Sequence, residues 1–138
     1  MLRLREPKQL RLERAGQDLR AFLAAERSRG PVAAYGAAAK ATVLFNLFGI
    51  DSPLIDYAVD DSPLKAGRRI PGTSIVIHDP GELARREPAT VLVTAWNYAG
   101  AIARKHESLS ARGTRFATPL PVPRFVDLDA KADADAVR

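Results

Sequence analysis

Apolar residues at Leu10, Ala15, Leu19, Phe22 and Leu23 recur at helical spacing with charged residues between them, which predicts a first helix over 7–29. Gly30-Pro31 ends it, because the residue before proline is pushed out of the helical region. The short apolar run at 32–35 closes on Gly36 and reads as a buried strand. Residues 37–48 are apolar on most sides and long enough for a helix lying on a sheet, with Gly49 as its C-terminal cap. Strands are predicted at 54–60, at the β-branched run 74–79, at 90–94 and at 114–118. Between them, two prolines and two glycines mark 61–73 as loop. A short helix opens at Pro80 with Asp79 as its cap, and a longer one spans 99–111. The segment 119–126 is too rich in proline for a central strand. One helix followed by strands alternating with helices predicts an α/β fold, a small Rossmann-like, doubly wound, mostly parallel five-stranded sheet with an N-terminal helix.

Composition narrows the function classes. At 138 residues the chain is one domain with short extensions, of a size that buries roughly 68% of its unfolded surface. An apolar fraction of 46% and a charged fraction of 27% exclude wholesale disorder. No apolar run reaches the ~18 residues of a membrane span, and the N-terminus lacks the apolar stretch of a secretory signal, so a cytoplasmic protein away from membranes is expected. Zero cysteine excludes disulfides, thiolate metal sites and cysteine nucleophiles. With His78 and His106 as the only histidines, no metal site is expected.

The net charge of +5 is unevenly spread. Residues 1–30 hold eight basic against four acidic residues, and 127–138 hold two against four. The N-terminal charges interleave at helical spacing and read as a solvated helix face, and the aromatics do not alternate with basic residues as a strand-stacking platform requires, so nucleic acid is not the expected partner. The expected organisation is a helical extension over 1–30, the α/β domain over 31–126, and a disordered tail over 127–138.

In an open α/β sheet, ligands sit beyond the carboxyl ends of the strands where the winding reverses. If 32–35 and 90–94 are the central strands, two segments meet there. In the first, Tyr35, Gly36, Ala37 and Lys40 form a strand-to-helix turn; glycine permits the bend, small residues permit close approach, and the helix start with Lys40 favours a phosphate. Its single glycine is a poor match to a dinucleotide fingerprint, and the same residues suit a tight turn made for packing alone. In the second, Trp96, Asn97 and Tyr98 offer a ring for stacking and a polar amide, or else a plug at the sheet edge with Asn97 capping the next helix. Asp60 ends a strand where dinucleotide folds place the acid that grips ribose hydroxyls, while Asp61 suits a loop cap. His78 and His106 are expected on the surface. No catalytic residue is assigned: neither a nucleophile elbow nor a phosphate-binding loop is present.

The runs VAAYGAAAKATVLFNLFGI, LIDYAVDDSPLKAGRRIPGTSIVI, VTAWNYAGAI and FATPLPVPRFV carry a YGAAAKG-type turn, a D-x-S-P-x-K-x-G loop ending in P-G-T, a W-N strand end and a proline-rich close. Together they resemble the C-terminal domain of the sugar C-methyltransferase family, over about 31–126. The resemblance implies a three-part full-length enzyme: a cysteine-rich zinc-binding region, a methyltransferase domain that binds S-adenosylmethionine, and this Rossmann-like domain, with a deoxysugar nucleotide between the last two. The sequence departs from the whole by omission, having no cysteine, no glycine-rich S-adenosylmethionine motif and no catalytic base region, and Ala41 stands where many relatives have glycine. The implied role is therefore the substrate-side domain, contributing nucleotide-sugar binding and packing against a methyltransferase domain in cis or in trans. No cofactor is expected in this chain, and alone it is expected to be inactive. A dinucleotide- or coenzyme-binding module and a purely structural or dimerising domain stand as alternatives.

Overall fold

The computed structural model describes residues 7–127. Its elements run α1 (Lys8–Arg27), β1 (Val32–Tyr35), α2 (Ala39–Phe48), β2 (Tyr57–Val59), β3 (Ile77–His78), α3 (Gly81–Arg86), β4 (Thr90–Val93), α4 (Ala99–Lys105), α5 (Glu107–Ala111), β5 (Arg115–Thr118) and β6 (Arg124–Phe125). The sheet order is β3-β2-β1-β4-β5-β6. The first five strands are parallel and β6 is antiparallel to β5. β1 and β4 are thus the adjacent central pair, aligned Val32 with Thr90 through Tyr35 with Val93. Winding reverses between them, so the α/β, Rossmann-like expectation holds.

The sheet has six strands where five are expected. Pro119, Pro121 and Pro123 turn the chain back after β5, and only Arg124 and Phe125, free of proline, pair at the edge. An edge position is where proline-rich neighbours are tolerated, since one side of the strand needs no donors. The predicted helix over 99–111 breaks at His106, whose φ of −115° and ψ of 34° leave the helical region. The predicted loop carries a short 3₁₀ turn at Pro63–Lys65 and an antiparallel bridge from Arg69 to Val76, which extends the β3 edge. The tail expected over 127–138 lies, beyond Asp127, outside the described residues.

The central strands β1, β2 and β4 are buried on both faces, as the interior of a parallel sheet requires. One layer packs Val32 and Ala34 with Leu19 and Leu23 of α1 and Leu44, Phe45 and Phe48 of α2. The other packs Ala33, Tyr35, Tyr57 and Val59 with Leu83, Ala99, Ala103 and Leu109. The α1 stripe that docks is Gly16, Leu19, Leu23 and Glu26. Leu10 is not part of it: it is 48% exposed, in a first half of α1 whose residues from Lys8 to Arg14 are all exposed. Gly16 is needed where α1 crosses α2, because a Cβ there would meet Phe48 Cδ1 at 2.9 Å.

Two acids fix α1 to the amino edge of the sheet. Glu26 accepts from the Thr90 hydroxyl at 2.5 Å, from Arg115 on both oxygens at 3.0 Å and from Arg29 at 2.8 Å. Asp56 accepts from the Val32 amide at 2.8 Å and from Arg27 Nη2 at 2.7 Å.

Candidate functional site

The carboxyl edge at the β1–β4 junction is built first by a turn. Gly36 has φ of +103°, and a Cβ there would stand 2.7 Å from Thr94 Oγ1. Only glycine meets both demands. The Thr94 hydroxyl lies 3.0 Å from the Tyr35 carbonyl and 2.9 Å from that of Gly36, so β4 is stitched to the turn. Asp60 closes the other side: Oδ2 accepts from the Ala37 amide at 2.7 Å and Oδ1 from the Ser62 amide at 2.8 Å. Lys65 reaches back to the same carboxylate at 3.8 Å. The amide and the acid that a dinucleotide would use are therefore committed to one another. Adjacent strand residues point to opposite sides, and Asp61 accordingly faces the other layer.

The structure brings two of the expected segments together. Lys40, on the first turn of α2, holds its ammonium 4.7 Å from the centroid of the Trp96 ring. Trp96 is half-buried; Asn97 and Tyr98, in the same 3₁₀ turn, are exposed, with Tyr98 at 66%. Asn97 does not cap α4, which begins without a side-chain cap. α2 also starts uncapped at Ala38, so amides of its first turn face outward with the positive end of the helix dipole and Lys40 beside them. A cation, a half-buried indole and an uncapped helix start suit a planar ring joined to an anion.

Tyr35 is not part of that face. It is buried in the opposite layer, where its hydroxyl donates to Asp61 Oδ1 at 2.6 Å and lies 3.3 Å from His106 Nε2. Burial, then the hydrogen bond and charge of Asp61, push its pKa well above the ordinary tyrosine range. His106, expected on the surface, is half-buried and stacks on Phe116 with ring centroids 6.4 Å apart. Sequence reasoning missed His106, Asp61 and Thr94. For Asp61 a signal existed, since its neighbour Asp60 occupies the other face of the same strand end; for His106, set in a continuous helical pattern, none did. Among the described residues no helix is long and apolar enough to cross a membrane.

Comparison with known proteins places this arrangement in a family. Among curated proteins, the C-methyltransferase NovU of Streptomyces niveus is 34% identical over 99 residues, covering 72% of this chain and 24% of that protein. The chain thus spans about a quarter of the length of the relative it matches. Among solved structures, UDP-D-quinovosamine 4-dehydrogenase from Vibrio fischeri aligns with a TM-score of 0.51 at 19% identity, over 78% of this chain and 98% of that one. That likeness concerns the fold alone. The family model of the C-methyltransferase C-terminal domain matches residues 8–121, from the start of α1 through the proline-rich turn after β5. This match bears out the resemblance carried by the four sequence blocks: the chain belongs to the C-methyltransferase C-terminal domain family.

Proposed function

We propose that this domain is the substrate-side part of a sugar C-methyltransferase, with the Lys40–Trp96 face receiving the nucleotide of a nucleotide-linked deoxysugar. Methyl transfer from S-adenosylmethionine is assigned to a methyltransferase domain, in cis or in trans, that packs against this one. The observation that carries the reading is the Lys40–Trp96 contact, which joins two segments of the family-like blocks at the switch point of the sheet. An exposed cation over an indole is held by only about 0.5–1 kcal/mol. An incoming base therefore displaces Lys40 from the ring cheaply, and the freed ammonium turns to the diphosphate next to the start of α2. The committed Ala37 amide and Asp60 carboxylate speak against the coenzyme-binding alternative.

Saturation-transfer NMR with a thymidine diphosphate sugar tests this on the wild type, Lys40→Ala and Trp96→Ala. Loss of base stacking removes about 1–3 kcal/mol, a weakening of roughly fivefold to 150-fold. Loss of the exposed lysine contact removes about 1 kcal/mol or less. Transfer in the wild type that both variants retain undiminished refutes the placement. No transfer in any of the three favours the structural reading, for which the exposed Leu10 and Leu12 of α1 are the relevant surface.

A further inference from the structure

On the far side of β1 from the Lys40–Trp96 face, titratable side chains from three elements converge. Tyr35 comes from β1, Asp61 follows β2, and Lys105 and His106 close α4. Tyr35 donates its single hydroxyl proton to Asp61 Oδ1 at 2.6 Å, and Lys105 Nζ lies 3.5 Å from the same oxygen. The Tyr35 oxygen can then only accept from His106 at 3.3 Å, so Nε2 carries a proton and Nδ1 is the free basic atom. The two rings lie with centroids 5.5 Å apart. His106 is also where the helical path breaks into α4 and α5. At its other end α4 begins directly after the Trp96–Tyr98 turn, and its buried contacts are the small residues Ala99, Gly100 and Ala103.

We propose that Asp61, Tyr35 and His106 form a proton-sensitive latch on α4 that sets how Trp96 sits against Lys40. With His106 neutral, the chain of donors from Nε2 through the tyrosine hydroxyl to the carboxylate holds the α4–α5 junction against β1. The groups that bear on His106 are Tyr35 on β1, Asp61 after β2, Lys105 on α4 and the Phe116 ring on β5, with Arg104 and Glu107 its charged near neighbours in sequence. Burial and then the Lys105 charge hold its pKa below the ordinary 6.5, with Asp61 opposing them. A second proton, taken at Nδ1, makes a half-buried imidazolium beside the Lys105 ammonium, and the cost of burying that charge together with the like charge of Lys105 presses the ring toward solvent against the pull of Asp61. The junction loosens, and α4, a helix of seven residues, carries the shift to Trp96. The consequence for ligand binding rests on the function proposed above; the latch itself does not.

Trp96 is the only tryptophan, so its fluorescence reports the far end of the latch directly. The experiment is a ligand-free titration from pH 8 to 5, following Trp96 fluorescence and the His106 Cε1–H resonance. The proteins are the wild type, His106→Gln, Asp61→Asn and Lys105→Ala. In the wild type both signals are expected to share one midpoint, below 6.5. Fluorescence goes flat in His106→Gln. Both midpoints move together to lower pH in Asp61→Asn and to higher pH in Lys105→Ala. Titration of His106 without a Trp96 response, or a response that persists in His106→Gln, overturns the latch. If His106→Gln fails to fold, the other two variants decide, because their side chains are 58% and 60% exposed; midpoints that part company in them also overturn it. No ligand is present, so failure here leaves the nucleotide-sugar reading standing, and the converse holds.

Discussion

Glu26→Ala removes the carboxylate that fastens α1 to the amino edge of the sheet, and the contacts set the size of the effect. Glu26 is 6% exposed, and its bond from the Thr90 hydroxyl is buried and charge-assisted. Such a bond contributes about 1.5–3 kcal/mol. The Arg115 and Arg29 side chains are 41% and 43% exposed, so solvent screens their pairing and together they add about 0.5–1 kcal/mol. Removing the acid also strips Arg115, whose Nε is already buried without a partner, of the carboxylate to which its Nη2 donates. The expected loss is about 2–4 kcal/mol, from a total of roughly 5–15 for a domain of this kind, and a fall in Tm of about 10 °C. Urea unfolding followed by circular dichroism measures it, and an unchanged m-value shows that the same surface is exposed in both proteins.

The same network predicts a pH signature. Burial alone raises the Glu26 pKa, but the Thr90 bond, the Arg115 charge and bonds, and Arg29 outweigh it and hold the carboxyl below its ordinary 4.5. The unfolded chain then binds a proton where the native one does not. Stability from this group is full above about 4.5 and is lost as pH falls through the lowered native value. The gap between wild type and Glu26→Gln should therefore shrink from pH 6 to pH 3. A loss under about 1 kcal/mol in Glu26→Ala, or a gap that does not change with pH, refutes the clamp.

Gly36→Ala is expected to destabilise by about 2–4 kcal/mol, from positive φ and collision with Thr94 Oγ1; pairing it with Thr94→Ala should relieve part of the loss in the same urea assay. The two tyrosines of the second layer should behave oppositely. Tyr57 has a buried hydroxyl without a partner, and burial pushes its pKa up to about 12, so Tyr57→Phe should be neutral or stabilising. Tyr35→Phe deletes a bond to Asp61 and should cost about 1–2 kcal/mol. Equal effects of the two would contradict this assignment of the hydroxyls.

Much of the fold was legible because each element carries its own period and its own stops. Gly30-Pro31, Gly36 and Gly49 punctuate α1, β1 and α2 where the chain does turn, and TVLVT at 90–94 contains β4. The edge strand β6 was not legible, since two paired residues after three prolines have no period to detect. The break at His106 was hidden for another reason: it is held by Tyr35, 71 residues away in sequence, and by Phe116. Leu10 belongs to the apolar stripe by spacing, yet the buried part of that stripe starts only at Gly16 and leaves Leu10 exposed. At the candidate site, glycine's role at the turn could be read from the sequence. Its close neighbour Thr94, and the engagement of Asp60 with the Ala37 amide rather than with a ligand, depend on register across three strands.

Amide and indole chemical-shift mapping with a thymidine diphosphate sugar tests the central claim most directly, because it reads where the ligand sits. The account predicts saturable shifts at the Trp96 indole N–H and at the backbone amides of Ala39, Lys40, Asn97 and Tyr98, with Ala37 unmoved because Asp60 already holds its N–H. Shifts centred on Ala37 and Ser62, or confined to the α1–α2 groove around Leu12 and Leu47, would contradict it.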